Sequence, residues 1–93
     1  PPYTRLVRLQ FSHPSLPYVA EEAHRLAGEI RDRAPSYPNI VVTGPTPPAI
    51  ARLRGRHRLQ ILVFGDDPAA LVGDLQEALP VGWSVDVDPL LVG

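Results

Sequence analysis

Residues 50–64 read IARLRGRHRLQILVF, and Arg52, Arg54, Arg56 and Arg58 take every second position. Four of the nine basic residues of the chain lie in this short run, and every basic residue is Arg. Arginine offers a flat fork of N–H donors that matches phosphate and carboxylate oxygens two at a time. On an extended chain, alternate residues project together, so four like charges there repel one another. No acid lies between Asp32 and Asp66 to neutralise them. Gly55 and the prolines upstream keep the segment out of a helix. The spacing therefore points to an anionic partner, and it leaves DNA, RNA and an acidic peptide equally open.

No other group of residues has the types and spacing of a catalytic or metal centre. His13, His24 and His57 form no i, i+4 pair, and the chain has no Cys, so metal binding and disulfides are not expected. Asp86 and Asp88 share one face of an expected strand, where paired carboxylates could act in acid–base or metal chemistry. Asp88-Pro89 also ends that strand, and an arginine partner for Asp86 is foreseen, so a structural use is preferred. Asp66-Asp67 reads as a helix cap. No phosphate-binding G-x-x-x-x-G-K-[ST] motif is present. Trp83 opens a strand and is expected in the core.

The elements that must position the arginines follow from hydrophobic period. Residues 3–11 alternate, with Val7, Leu9 and Phe11 on one face and Leu6, Arg8 and Gln10 on the other. Ser15 is placed to cap a helix with Pro17 in its first turn, and Val19, Ala23, Leu26, Ala27 and Ile30 make its apolar stripe. Pro35 and Pro38 stop it. Residues 40–44 form a second strand, and a Pro-rich extended connection leads to a third over 56–64. There His57, Leu59, Ile61 and Val63 share one face; Arg56, Arg58, Gln60, Leu62 and Phe64 share the other. Asp67 caps a second helix with Pro68 at its first position, and Leu71, Leu75, Ala78 and Leu79 form its stripe. Residues 83–89 are the last strand, with Trp83, Val85 and Val87 inward.

The order β-α-β-β-α-β in 93 residues suits one α+β domain, a split ferredoxin-like two-layer sandwich. Its four-stranded antiparallel sheet has order 4-1-3-2 with both helices on one face. The other face is left for solvent or a partner. That open face is expected to be polar and mostly basic, with Asp86 set near Arg8. Net charge is −1, so the positive field is local rather than global. No apolar run is long enough to span a membrane. The chain lacks an initiator Met, and the expectation is a piece of a larger protein.

GPTPPAIARLRGRHRLQILV resembles the signature GP-x-P-A-P-I-x-R-L-R-G-R-Y-R-W-Q near the C-terminus of the primosomal protein N′ (PriA) family of bacterial replication-restart helicases. PPYTRLVRL resembles the opening of that family's C-terminal domain, and VDVDP its closing I-D-V-D-P. The three motifs occur in the family's order over residues 1 to 89. The resemblance implies a fold similar to small-ribosomal-subunit protein ten. It also implies a non-enzymatic domain that helps to hold forked or single-stranded DNA and to capture the acidic C-terminal tail of single-stranded DNA-binding protein.

The family's tail-binding arginine and glutamine, spaced R-x-x-x-Q, fall on Arg56 and Gln60. Arg52, Arg54, Arg58 and Arg8 are then the expected DNA contacts. The resemblance further implies a monomer in the cytoplasm at the nucleoid, working with the helicase core of the same polypeptide. No cofactor belongs to this chain, since the ATP with magnesium and the structural zinc of the 3′-to-5′ helicase are bound elsewhere. His57 stands where the family usually has Tyr or Phe, and Leu59 where it has Trp. Charge rather than base stacking is the mechanism to expect. The rival readings are a small-molecule regulatory module of the same architecture and a purely structural domain.

Overall fold

The computed structural model describes residues 5–88. Along the chain come β1 (Arg5–His13), α1 (Leu16–Arg33), a 3-10 turn (Ala34–Ser36), β2 (Val41–Thr46), β3 (Arg52–Leu53), β4 (Arg56–Gly65), α2 (Pro68–Gln76) and β5 (Trp83–Val87). The strands form one antiparallel sheet of order β2-β4-β1-β5, and β3 pairs with β4 beside this path. This is the expected split sandwich with one extra two-residue strand. The motif residues Tyr3 and Pro89 lie outside the described residues.

Alternation works as the residue pattern requires. Val7, Leu9, Ile61 and Val63 point to one side and pack with Leu26, Ala27 and Ile30 of α1 and with Leu71, Val72 and Leu75 of α2 in a single core. Both helices thus cover the same face. Full burial of a side chain such as Leu26 contributes about 1.5–3 kcal/mol. Ser15 caps α1, its hydroxyl accepting the Tyr18 N–H, and Asp67 caps α2, its carboxylate accepting the Ala70 N–H. The stripe of α2 differs from expectation. The helix ends at Gln76, so Ala78 is exposed and Val72 takes its place in the core.

Two devices fix the sheet edges. The Arg31 guanidinium donates to the Gly44 carbonyl at 2.8 Å, and its second carbonyl partner on β2 is Val42. These are outward carbonyls of an edge strand, so Arg31 blocks acceptors that another strand could use. Just after β5, Asp88 turns with φ 51°, and its carboxylate accepts from Arg5 Nε at 2.7 Å and the Leu6 N–H at 3.1 Å. The guanidinium and that amide hold the Asp88 carboxyl below its usual range.

The open face is less uniform than foreseen. Its half nearest His13 carries Gln10, Ser12, Arg56, Arg58 and Gln60. Its other half carries Leu6, Leu62 and Phe64, and Leu6 is buried although it faces away from the helices.

Candidate functional site

The arginine series does not run along one extended chain. Leu53 pairs with Arg56, and the two residues between them, Arg54 and Gly55, have φ 55° and 75°. Two consecutive left-handed residues make the turn whose twist matches a tight hairpin. The hairpin divides the four charges. Arg52 lies opposite His57 on β4, Arg54 sits at the turn, and Arg56 and Arg58 stand on the open face. The expectation that all four project together is therefore corrected. The signal was present in Arg-Gly, but it is weaker than Asn-Gly because Arg seldom adopts positive φ.

The hairpin lies at the end of the sheet where β1 finishes and α1 begins. Exposed apolar side chains gather on these same segments: Leu53 on β3, Ile50 just before it, Leu16 and Tyr18 at the start of α1, and Val81 in the loop before β5. Beneath them the Phe11 ring packs on Trp83 at 5.1 Å and on Tyr18 at 5.5 Å between centroids. Trp83 donates its indole N–H to Glu22, which is 5% exposed and also holds Arg25 at 2.8 Å through both Nε and Nη2. Arg25 outweighs burial, and the Glu22 carboxyl lies below its usual range. Trp83 is thus a half-buried support of this end, as expected, and not a free ring.

His13 and His57, remote in sequence, are direct cross-strand neighbours at this end. His13 Nδ1 accepts the Ser15 N–H at 2.9 Å, so in the neutral ring the proton sits on Nε2. That nitrogen is then a donor, which does not suit metal ligation.

The arginines differ in what they already hold. Arg5, Arg8, Arg25 and Arg33 each pair with a carboxylate, Arg8 with Asp86 at 3.0 Å as the strand order foresaw. None of Arg52, Arg54, Arg56 and Arg58 has a carboxylate partner among the described residues. Arg52 and Arg54 are exposed and make no side-chain hydrogen bond there at all. Arg58 is half-buried; it donates to the Ile50 carbonyl and to Gln10 Oε1 at 3.3 Å, and its Nε is buried without a partner. It ties the Pro-rich connection down onto the sheet. Arg56 donates from Nε to Ser12 Oγ and from Nη2 to the Ser12 carbonyl, both at 2.8 Å.

Gln60 shares the face of Arg56, roughly 13 Å along the strand by the usual rise per residue. Its side-chain amide has no hydrogen-bond partner among the described residues. Beside it β2 shifts register at Gly44, whose φ is 107° and where a Cβ would meet the Gln60 carbonyl oxygen at 2.6 Å. Sequence reasoning missed Ser12, Leu53 and this bulge; the glycine after a β-branched run was the available sign of the last.

A comparison with curated proteins finds no match. A family profile described as the primosomal protein N C-terminal domain matches residues 1–90. That covers nearly all of the 93 residues, and the described fold is that of a small α+β domain rather than a helicase core. The chain belongs to the family of primosomal protein N C-terminal domains, which ties it to replication restart.

Proposed function

We propose that this domain binds forked or single-stranded DNA through the β3–β4 hairpin and receives the acidic C-terminal tail of single-stranded DNA-binding protein at Arg56 and Gln60. Arg52 and Arg54 contact phosphates first. Arg58 and Arg8 flank them with fewer free donors. The domain works as a monomeric, non-enzymatic module at the nucleoid, beside the helicase core of the same polypeptide, with ATP, magnesium and zinc bound outside it.

One observation carries this reading. Among the described residues, four of the five arginines outside the series are neutralised by carboxylates, and none of the four inside it is. Guanidinium groups without a carboxylate partner leave charge, and at Arg52, Arg54 and Arg56 also N–H donors, available to an anion. The exposed Leu53 and Ile50 add apolar surface near Arg56, which suits a peptide ending in an aromatic residue and a carboxylate. The test is a titration of a labelled acidic tail peptide and of labelled forked DNA, each with wild type and Arg56→Ala, with the helicase core present. The peptide should weaken far more than the DNA. Equal peptide binding by both proteins would refute the tail site, and an absence of DNA binding at low salt would refute the DNA role.

A further inference from the structure

Arg56 and its neighbours in the series are held in different ways, and the difference has chemical content. A guanidinium has two bidentate edges, one formed by Nε with Nη2 and one formed by Nη1 with Nη2. In Arg56 the first edge is closed, because Ser12 takes Nε with its hydroxyl and Nη2 with its carbonyl, each at 2.8 Å. The outer fork, one hydrogen of Nη1 and one of Nη2, remains open. No carboxylate of the described residues competes for it. Its neighbour Arg58 is turned away to the Ile50 carbonyl and Gln10. Across the hairpin, Leu53 stands directly opposite Arg56 and is 48% exposed.

We infer that Ser12 is a positioning residue, which holds Arg56 so that a single end-on fork meets one terminal carboxylate while Leu53 meets the apolar side chain next to it. This deepens the tail-binding reading above and rests on it. Arg52 and Arg54, without such a hold, suit phosphates that present themselves in many directions. Arg56, already oriented, suits one flat anion in one direction. Holding a long side chain before binding removes an ordering cost equal to about 2- to 12-fold in affinity. Ser12 thereby separates a directional site from a diffuse one on the same hairpin.

The experiment is an NMR titration of the full 93-residue chain with two synthetic acidic peptides ending in Phe, one with a free C-terminal carboxylate and one amidated. The Arg56 Nε–H resonance is followed in wild type, Ser12→Ala and Ser12→Thr, and peptide affinity is measured for these three and for Arg56→Ala. In wild type that proton should exchange more slowly than those of Arg52 and Arg54, and Ser12→Ala should remove the difference. The carboxylate peptide should bind wild type better than the amide. Ser12→Ala should weaken it about 2- to 12-fold, Ser12→Thr should restore it, and the melting temperature should not change. Equal affinity for the two peptides, or no binding of either, overturns the tail-binding reading and this inference with it. A carboxylate preference that vanishes in Arg56→Ala but persists in Ser12→Ala overturns the positioning role alone. So does an Arg56 Nε–H that exchanges as fast as that of Arg54 in wild type.

Discussion

Removing charge from the hairpin has a consequence that can be worked out in advance. Arg52 and Arg54 make no internal side-chain hydrogen bond or ion pair among the described residues. Replacing both by Gln therefore deletes two charges without breaking a contact, and the fold should be unaffected. Each phosphate neutralised on a single strand contributes about 0.7 to the slope of log affinity against log salt. Losing two contacts should flatten that slope by about 1.4, so the fall in affinity between 50 and 200 mM salt should shrink by about 7-fold. A fluorescence anisotropy titration of a labelled single strand at four salt concentrations measures this directly. The control is Arg33→Gln. Arg33 lies at the far end of α1, 3.7 Å from Glu29, and its loss changes net charge without touching the hairpin. If Arg33→Gln flattens the slope by as much per charge removed as the double variant does, the effect is one of net charge and the hairpin is not the DNA site. An unchanged slope in the double variant, with its thermal melt intact, refutes the phosphate contacts outright.

Three further substitutions probe the hairpin turn and the scaffold beneath it. Glu22→Gln should cost about 1–3 kcal/mol at pH 7, because Arg25 and the Trp83 indole both bind the charged carboxylate. Since the folded pKa is depressed, that stabilisation is complete above the unfolded value of about 4.3 and is lost as pH falls through the folded value. Urea unfolding followed by Trp83 fluorescence should then find the two proteins converging below pH 4; a constant gap from pH 7 to 3 would contradict this account. Gly55→Ala should cost about 1–2 kcal/mol from its φ of 75° alone, since nothing lies within 4 Å of the added methyl. Gly82→Ala should cost more, because its φ is 112° and the methyl would also stand 2.8 Å from the Phe11 ring; equal melting temperatures for the two would remove the steric argument.

Much of the fold is legible in residue order because the controlling forces are local or periodic. Alternation in β1 and β4 assigns Val7, Leu9, Ile61 and Val63 to the core without any coordinates. Ser15 and Asp67 mark helix starts because their side-chain oxygens satisfy amides that the helix cannot. Even the Arg8–Asp86 pair follows from strand order. The second helix is less legible. Its last apolar positions, Ala78 and Leu79, fit the stripe, but the helix closes before them: Leu79 still packs half-buried against the core, whereas Ala78 is exposed and Val72 is drawn in. Which part of an apolar run is buried depends on where the sheet lies beneath it.

The sequence by itself determined that a basic segment of arginines leads into a half-buried strand, because composition and period suffice for that. Which arginines are free was decided by tertiary structure. A left-handed Arg54–Gly55 turn folds the segment back on itself, so adjacent charges leave the sheet on different sides. The Ile50 carbonyl holds Arg58, and Ser12 closes one edge of Arg56. His13 and His57 meet only because β1 and β4 are neighbours. Each of these contacts joins residues whose separation in sequence carries no periodic signal. Hydrogen-bonding partners across a sheet depend on register and on which strands lie side by side, and those are fixed only when the whole chain packs.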